Sequence, residues 1–308
     1  MRQSNEMIQD TRYDVVIIGG SYVGLSAAMA LGRSLRRVLI IDSGSPCNRF
    51  SPHSHNFITH DGAAPADIAA KARAQVLAYD TIQWYNGLAI SAARSESGFE
   101  ITTKSGESFT SRKLLFATGV TDLMPAIAGF EACWGKSILH CPYCHGYEVK
   151  HQNIGLIGNG DLGFEFCRMI SNWTSKLTLF TNGSSTLTDA QTIKIKSHDI
   201  EVVEGPIASL EHMHGQVQHV VLEDGSKKAI SAIFAKVALK QSCAIPEQLG
   251  CELTEHGLIK VDDYQNTTVP GVYAAGDNAT MFRAVSMAIA AGTKAGAMSN
   301  KAMIDEDF

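Results

Sequence analysis

Apolar runs and glycine-ended turns follow one another in the same order at two places in the chain. The first place begins with YDVVIIGG, a short run rich in β-branched residues that predicts a buried strand. The following segment, SYVGLSAAMALGRSL, has helical character, and RRVLIID predicts a second strand. The order strand, helix, strand predicts a βαβ unit.

The second place repeats this order with NIGLIGNG, DLGFEFCRMISNW and KLTLFTNG. Gly24 and Gly163, the last glycines of the two turns, lie equally far from the ends of the strands that follow. Each copy continues into a hairpin signal, Ser105-Gly106 or Asp224-Gly225, and then into an apolar strand, LLFATG or AIFAKVAL. The repeat predicts two nucleotide-binding domains of one plan.

Composition restricts the kind of protein. The chain has 308 residues, of which 45% are hydrophobic and 19% charged, as expected of a globular protein large enough for two domains. A net charge of -5 gives no electrostatic reason to expect a nucleic-acid partner. Neither an apolar signal sequence nor a run long enough to span a membrane is found, so we expect a cytoplasmic protein without membrane partners.

The first glycine turn has the pattern of a dinucleotide site. Gly19 and Gly24 take its first and third positions, with Ser21 at the second. Such glycines bring the backbone close to a pyrophosphate, which rests on the N–H groups at the helix N-terminus. Asp42, at the end of the next strand, is placed to accept hydrogen bonds from a ribose. The alternative is that the glycines serve only close packing of helix and strand.

Two further motifs favour a cofactor site. Ala117-Thr118-Gly119 ends one predicted strand, and Gly276-Asp277 ends another before a helix rich in small residues. Together with the first turn, these motifs resemble the flavoprotein disulfide reductases. The resemblance implies that the first unit binds FAD and that Asp277 contacts the ribityl chain or phosphate. It also implies that Asn56 and the pair Arg283-Ala284 lie near the flavin.

A close cysteine pair, Cys141-Pro-Tyr-Cys144, is the candidate redox centre. Its spacing allows a disulfide where the segment turns into a helix, whose N-terminal dipole lowers a thiol pKa. Pro142 suits the first helical turn. His140 and His145 flank the pair, and a histidine can pass a proton as a thiolate attacks or leaves. We favour His145 for this role.

The segment FATGVTDLMPAIAGFEACWGKSILHCPYCHGYE is similar to two related groups of proteins. In the low-molecular-weight thioredoxin reductases an aspartate follows the second cysteine, and here His145 takes its place. A CxxC followed by histidine resembles the FAD-dependent dithiol oxidases that close the gliotoxin and holomycin disulfides. That resemblance implies electron transfer from a small dithiol through the cysteines and FAD to O2, with hydrogen peroxide as the product.

The resemblance also implies the domain plan. The fold is expected to be α/β, with two Rossmann-like dinucleotide-binding domains of the thioredoxin reductase type, the second inserted in the first. Residues 1–120 and 243–308 would form the FAD-binding domain, and residues 121–242 the NAD(P)-binding-like domain that carries the CxxC. A homodimer is a further expectation from the family.

Zinc binding and simple packing are the alternatives for the cysteine pair. Cys and His at short spacing also bind zinc, but no second CxxC exists to complete a site. Zinc would have to recruit Cys243 with Cys251, or His53 with His55. We therefore assign no metal. The cysteines outside the pair are expected to be small packed hydrophobes without chemistry, namely Cys47, Cys133, Cys167, Cys243 and Cys251.

The second glycine turn makes NADPH doubtful. Gly158, Gly160 and Gly163 form an intact GxGxxG. NADPH-dependent thioredoxin reductases carry arginines after the next strand, where they pair with the 2'-phosphate, but this chain has Thr181-Asn182-Gly183. The segment FAKVALKQSC also departs from the glycine-bearing segment of the family. We expect these glycines to persist for packing.

Two interpretations remain beside dithiol oxidation. A reductase would run the opposite way, with NADPH or a donor such as reduced ferredoxin, on thioredoxin or a small disulfide. A flavin- or metal-binding scaffold without enzymatic activity is the other. In the favoured mechanism Cys141 forms the mixed disulfide with substrate and Cys144 faces the flavin, an order carried over from the thioredoxin reductases.

Overall fold

The computed structural model describes residues 12–308. Residues 1–11, which the prediction assigned to the start of the first domain, lie outside the described residues. The chain forms two compact units. Unit 1 contains the described residues up to Cys47, together with Ala66–Thr121 and Lys240–Phe308, and unit 2 contains Asn48–Pro65 and Asp122–Leu239.

The division differs from the expected one in one long segment and by up to three residues at its boundaries. Residues 48–65 were assigned with the FAD-binding domain, but Asn48–Pro65 belongs to unit 2. The physical reason is close packing within that unit, because Gly135 lies directly against the backbone of Phe50 and Ser51. A segment that follows the first βαβ unit in sequence therefore belongs with the unit that carries the cysteine pair.

The helices and strands alternate along most of the chain. The helices are α1 (Tyr22–Arg33), α2 (Pro65–Val76), α3 (Phe130–Cys133), α4 (Pro142–His145), α5 (Gly160–Ile170), α6 (Asp189–Lys196), α7 (Ile245–Gln248) and α8 (Val285–Asp307), with a 3-10 turn at Cys47–Phe50. The strands are β1 (Arg12–Ile18), β2 (Val38–Asp42), β3 (Ile82–Asn86), β4 (Ala89–Ser95), β5 (Gly98–Thr103), β6 (Ser108–Phe116), β7 (Val120–Leu123), β8 (Ile138–Leu139), β9 (Ile154–Ile157), β10 (Leu177–Phe180), β11 (Glu201–Val203), β12 (Ile207–Met213), β13 (Gln216–Leu222), β14 (Lys227–Ala229), β15 (Ala232–Ala235), β16 (Ala238–Gln241) and β17 (Val272–Ala274).

Unit 1 is built on a seven-stranded sheet with the order β3-β2-β1-β6-β5-β4, in which β17 also pairs with β6. Strands β3, β2, β1, β6 and β17 pair in parallel with one another, whereas β5 pairs with β6 as an antiparallel hairpin. The predicted βαβ unit is present as β1, α1 and β2. Alternate residues of β1 enter two separate apolar clusters, so both faces of the sheet are covered.

Unit 2 has a five-stranded parallel sheet, β11-β10-β9-β15-β8, and a three-stranded antiparallel sheet, β12-β13-β14. The second predicted βαβ unit is present as β9, α5 and β10. The prediction of one strand over AIFAKVAL was wrong, since Lys236 and Val237 separate β15 from β16. The reason is a change of environment: β15 is wholly buried beside β9, whereas β16 alternates in exposure and pairs with β7.

Within residues 12–308, none of the helices has both the length and the apolar character needed to cross a bilayer.

Candidate active site

The four predicted flavin motifs of unit 1 lie at one edge of its sheet. Strands β1, β2, β6 and β17 run parallel, and Ile18, Phe116 and Ala274 are in register at their carboxyl ends. The motif residues Gly19, Asp42, Thr118 and Gly276 follow at or directly after these strand ends. In an open α/β sheet this carboxyl edge is where ligands bind.

The glycine turn after β1 is constrained by its neighbours. Gly19 has a φ of +105°, a conformation that side chains rarely adopt, and a Cβ there would collide with the carbonyl oxygen of Ala117. A Cβ on Gly24 would collide with the carbonyl oxygen of Gly19. These glycines therefore hold the turn close to both the β6 end and helix α1. Close packing and dinucleotide binding are compatible explanations, because both require residues without a side chain at these positions.

The start of α1 has the electrostatics of an anion site. Ser21 is its N-cap residue but makes no side-chain capping bond to any residue that the structure describes, and the first turn contains no acidic residue. The first N–H groups and the positive end of the helix dipole thus remain suited to a phosphate.

Asp42 is held in place at the end of β2. Its Oδ1 accepts from the Gly20 N–H at 2.9 Å, and its Oδ2 accepts from the Gly44 N–H at 3.1 Å. The side chain is half-buried. Because each carboxylate oxygen can accept more than one hydrogen bond, both retain capacity for the hydroxyls of a ribose.

Asp277 and Arg283 meet at the β17 end. The Arg283 Nε donates to Asp277 Oδ2 at 3.1 Å, and the Arg283 Nη2 lies 2.9 Å from the Cys47 Sγ. Ala284 is the N-cap residue of α8, which has no side-chain cap among the described residues and no acid in its first turn. The structure thus brings Arg283 into contact with Asp277, and Ala284 directly follows it at the start of α8.

Asn278 is a buried polar residue that the sequence did not single out. Its Nδ2 donates to the Phe116 carbonyl at 2.9 Å and contacts Thr118 Oγ1 at 3.4 Å. Its Oδ1 is buried without a partner among residues 12–308. The side chain therefore ties the β6 end, with Thr118 and Gly119, to the strand end that carries Asp277.

These features fit FAD. The α1 start would hold the pyrophosphate, Asp42 a ribose, and the edge formed by Thr118, Gly119 and Asp277 the flavin half. When bound, FAD supplies a two-electron acceptor for a thiol pair. The fit depends on donor type and backbone space at one sheet edge, and each contact to the cofactor remains a prediction.

The second glycine turn, in unit 2, is bonded to its own chain. The Asn159 Oδ1 accepts from Gly160 N–H at 2.9 Å and from Thr186 N–H at 2.7 Å. Its Nδ2 donates to the Ser184 carbonyl at 2.8 Å. The Asn159 side chain thus caps α5 and fastens the segment after β10 across the helix start.

Charge distinguishes the two turns further. Asp161 lies in the first turn of α5, where its Oδ1 accepts from Gln191 Nε2 at 2.7 Å. A carboxylate at this position repels a phosphate, whereas the first turn of α1 contains no carboxylate.

After β10, Thr181 Oγ1 donates to the Gly183 carbonyl at 2.7 Å, and Asn182 Oδ1 accepts from Ile207 N–H at 2.8 Å. Residues 181–188 contain neither a cation nor a carboxylate for a ribose.

Cys141 and Cys144 form a disulfide with a Cα–Cα distance of 5.3 Å. Cys141 is the N-cap residue of α4 and Pro142 begins the helix, as the sequence predicts. Both cysteines are half-buried. Because α4 has only four residues, its dipole is small, and neighbouring side chains must supply most of the proton chemistry.

The two flanking histidines have different environments. His145 is half-buried, and its ring centroid lies 6.4 Å from that of His55. Burial lowers the pKa of His145, a positive His55 lowers it further, and Glu148 opposes both effects. His140 is exposed and stacks on Trp134 with a centroid distance of 6.1 Å. His145 therefore has the environment of a neutral proton acceptor, but its role and that of His140 remain predictions.

The segment 48–65 supplies groups that the sequence did not connect with the cysteines. His55 has its Nε2 3.6 Å from Glu148 Oε1 and its Nδ1 3.7 Å from Asp61 Oδ1. Asn56, predicted to lie near the flavin, has a φ of +57° and donates its backbone N–H to Asp61. Asn56 belongs to unit 2, whereas the other predicted flavin residues belong to unit 1. The sequence contains neighbouring histidines in this segment but does not indicate that they lie near the cysteine pair.

Two exposed tyrosines lie within or just after the CxxC. Tyr143, inside the CxxC, is 64% exposed, and Tyr147 is 69% exposed. Tyr143 makes an edge contact with Trp173, with ring centroids 5.8 Å apart. The redox pair is thus bordered by exposed aromatic surface that a small organic substrate can contact.

The other cysteines do not join this centre. Cys133, Cys167 and Cys251 are buried, and Cys47 and Cys243 are half-buried. Burial raises the pKa of four of these thiols, that of Cys167 to about 12. Among residues 12–308, no group of three or more His, Cys, Asp or Glu side chains is placed to hold a metal ion.

Comparisons with known proteins agree with this architecture. The family model "Pyridine nucleotide-disulphide oxidoreductase" matches residues 13–292. Thioredoxin reductase tcpT of Claviceps purpurea is 33% identical, with 94% of each chain covered. A crystal structure of a thioredoxin reductase TrxB from Bacillus anthracis has a TM-score of 0.92 at 29% identity, covering 96% of this chain and all of that one. An oxidoreductase from Agrobacterium tumefaciens has a TM-score of 0.89 at 37% identity, covering 96% of this chain and 99% of that one.

The predicted fold class is therefore confirmed, as are the flavoprotein nature of the enzyme and FAD as its cofactor. The chain belongs to the pyridine nucleotide-disulphide oxidoreductase family and is a thioredoxin reductase-like flavoprotein oxidoreductase.

Proposed function

We propose that this flavoenzyme oxidises a dithiol to a disulfide through Cys141 and Cys144, with O2 as the final electron acceptor. Electrons would enter at the cysteine pair and leave through FAD. No nicotinamide cofactor takes part in this cycle.

The observation that carries the proposal is the contrast between the two glycine turns. The first is uncapped and free of acid in its helical turn, whereas the second is closed by Asn159 and carries Asp161. An NADPH pyrophosphate would have to replace the bonds from Asn159 to Ser184 and Thr186 and approach a carboxylate. Dithiol oxidation requires no such cofactor.

The thiol exchange conserves atoms and electrons. A substrate thiol gives its proton to His145, and the thiolate attacks the Cys141 Sγ, which breaks the Cys141–Cys144 bond and leaves a thiolate on Cys144. The second substrate thiolate then attacks the substrate sulfur of the mixed disulfide and releases Cys141. The products are a substrate disulfide, the thiolates of Cys141 and Cys144, and two protons.

When bound, FAD would supply the acceptor for the electron pair of the reduced cysteines; with O2 as the final oxidant, one hydrogen peroxide would form for each dithiol and would take up the two protons. By resemblance to the thioredoxin reductases, Cys141 receives the substrate and Cys144 faces the flavin. His145, whose pKa is lowered by burial, is available in its neutral form to accept protons at neutral pH.

An anaerobic titration tests the direction of the reaction. The purified flavoprotein is mixed in parallel with dithiothreitol, NADPH and NADH while the flavin absorbance is followed. Bleaching by the dithiol alone supports the oxidase. Rapid bleaching by NADPH would refute it.

A reductase is the second candidate, because relatives carry the name thioredoxin reductase and the second GxGxxG is intact. In that case an external donor reduces the flavin, and the cysteine pair reduces a thioredoxin-like protein or a small disulfide. The titration separates the two directions. If neither nicotinamide nor dithiol bleaches the flavin, a protein donor such as reduced ferredoxin becomes the next reagent to test.

We further propose that the enzyme works as a cytoplasmic homodimer. The resemblance to the thioredoxin reductases supports the dimer, and none of the helices within residues 12–308 could cross a bilayer. Light scattering during size-exclusion chromatography would give twice the 33.2 kDa chain mass for a dimer.

A further inference from the structure

We propose that His55 is a positioning residue for proton transfer at the redox pair: it removes the proton that His145 accepts and passes it toward Glu148, Asp61 and water. The inference rests on the proposed role of the Cys141–Cys144 pair in thiol exchange. It holds for either direction of that exchange.

The structure places His55 directly beside His145. The two rings meet edge to face, with an interplanar angle of 86° and a centroid distance of 6.4 Å. His55 has a side-chain exposure of 19%, and its two carboxylate neighbours have exposures of 39% for Glu148 and 67% for Asp61. Exposure thus increases from the histidine to the carboxylates.

Two carboxylates lie near the His55 ring. Its Nε2 lies 3.6 Å from Glu148 Oε1 and its Nδ1 lies 3.7 Å from Asp61 Oδ1. Both distances are longer than a hydrogen bond, so neither ring nitrogen is committed to one of these carboxylates. Another titratable neighbour, His53, has its ring centroid 6.3 Å from that of His55 and its Nδ1 3.0 Å from the Gly62 carbonyl.

His145 benefits from a partner of this kind. A charged His145 is disfavoured by burial, so a proton taken from a substrate thiol must leave before the next one is accepted. Transfer to His55 moves the charge to a ring held between two carboxylates. Each substrate dithiol releases two protons, so the transfer occurs in every turnover.

A purely structural role for His55 is the competing explanation, since it also fastens the segment 48–65 to Glu148. A His55→Gln variant separates the two, because glutamine can hydrogen-bond but cannot titrate near neutral pH. His53→Gln is the matched control: it lies in the same segment, is exposed, and does not face His145. Glu148→Gln is a second variant that removes one carboxylate from His55 without altering the histidine.

The experiment measures reduction of the Cys141–Cys144 disulfide in the holoenzyme by dithiothreitol, quenched in acid and quantified by alkylation and mass. We expect His55→Gln to slow the exchange on the order of 10-fold near neutral pH and to remove a pH-dependent limb of the profile. Free imidazole is expected to restore part of the rate in His55→Ala. Glu148→Gln should shift the same limb, and His53→Gln should match the wild type.

Identical rates and pH profiles in wild type and His55→Gln would overturn the inference while leaving the proposed function in place. Equal slowing of His53→Gln and His55→Gln would also overturn it in favour of a structural role. Conversely, His55-dependent exchange in an enzyme whose flavin is reduced only by NADPH would refute the oxidase and leave the inference standing.

Discussion

Replacing Asp42 by Ala tests which unit holds the flavin cofactor. The carboxylate lies at the end of β2 and is fixed by the N–H groups of Gly20 and Gly44, so its oxygens are presented at the carboxyl edge of the sheet. In the proposed site they accept hydrogen bonds from a ribose of FAD. The variant removes both acceptors at once.

The expected effect follows from the number and type of bonds. A hydrogen bond to a charged group contributes about 1.5–3 kcal/mol, and every 1.4 kcal/mol corresponds to about a tenfold change in affinity. Loss of one ribose bond to the carboxylate therefore weakens FAD binding by roughly 10- to 150-fold. The fold is expected to survive, because Asp42 is half-buried and water can reach the freed N–H groups.

The second βαβ unit supplies a matched control. Thr181 takes the position of Asp42, and Thr181→Ala removes a bond to the Gly183 carbonyl at a cost of about 1 kcal/mol in stability. Its FAD affinity should equal that of the wild type. Both variants are deflavinated and titrated with FAD, with the quenching of flavin fluorescence as the signal. Unchanged affinity in Asp42→Ala, or weakened affinity in Thr181→Ala alone, would refute the assignment of FAD to unit 1.

Three further outcomes are expected. Cys141→Ser and Cys144→Ser should each keep the flavin but lose more than about 10²-fold of dithiol turnover, measured by oxygen uptake; turnover in either variant at wild-type rate would remove the pair from the mechanism. Asn159→Ala loses three hydrogen bonds and should lower the free energy of unfolding by about 1–2 kcal/mol in urea, with unchanged dithiol oxidation. Burial lowers the pKa of His145 in the folded protein. As the pH falls below about 6.5, the His145 side chain is therefore protonated in the unfolded chain before it is protonated in the folded one. The free energy of unfolding should decline from that pH until the pKa of His145 in the folded protein is passed. Urea unfolding of His145→Gln should lack that decline, and a decline equal to the wild type would contradict the assignment.

Local sequence signals were sufficient for the repeated units. The strands β1 and β9 read as β-branched apolar runs that end in glycine, and the turns at Ser105-Gly106 and Asp224-Gly225 join antiparallel strands as expected. The motifs ending β1, β6 and β17 were grouped by their resemblance to the flavoprotein disulfide reductases, and the structure places them at one edge of the sheet. The break between β15 and β16 was missed, since continuous apolar character does not reveal a change from a buried to an alternating strand.

Long-range packing accounts for what sequence could not provide. His55 is far from Cys141 in the chain, and nothing in its local pattern indicates that segment 48–65 packs on the unit of the cysteine pair. The second glycine turn is closed because the Asn159 side chain hydrogen-bonds to Ser184 and Thr186, which follow the neighbouring strand β10. An intact GxGxxG therefore shows a backbone shape, whereas the side chains around it decide whether a phosphate can enter.

The most direct test of dithiol oxidation is the stoichiometry of aerobic turnover without any nicotinamide, followed with an oxygen electrode and a peroxide assay. The account predicts one O2 consumed and one hydrogen peroxide formed for each dithiol converted to a disulfide, and no such turnover when Cys141 and Cys144 are both serine. Oxygen uptake that persists in the double variant, or disulfide reduction that proceeds only with NADPH, would contradict it.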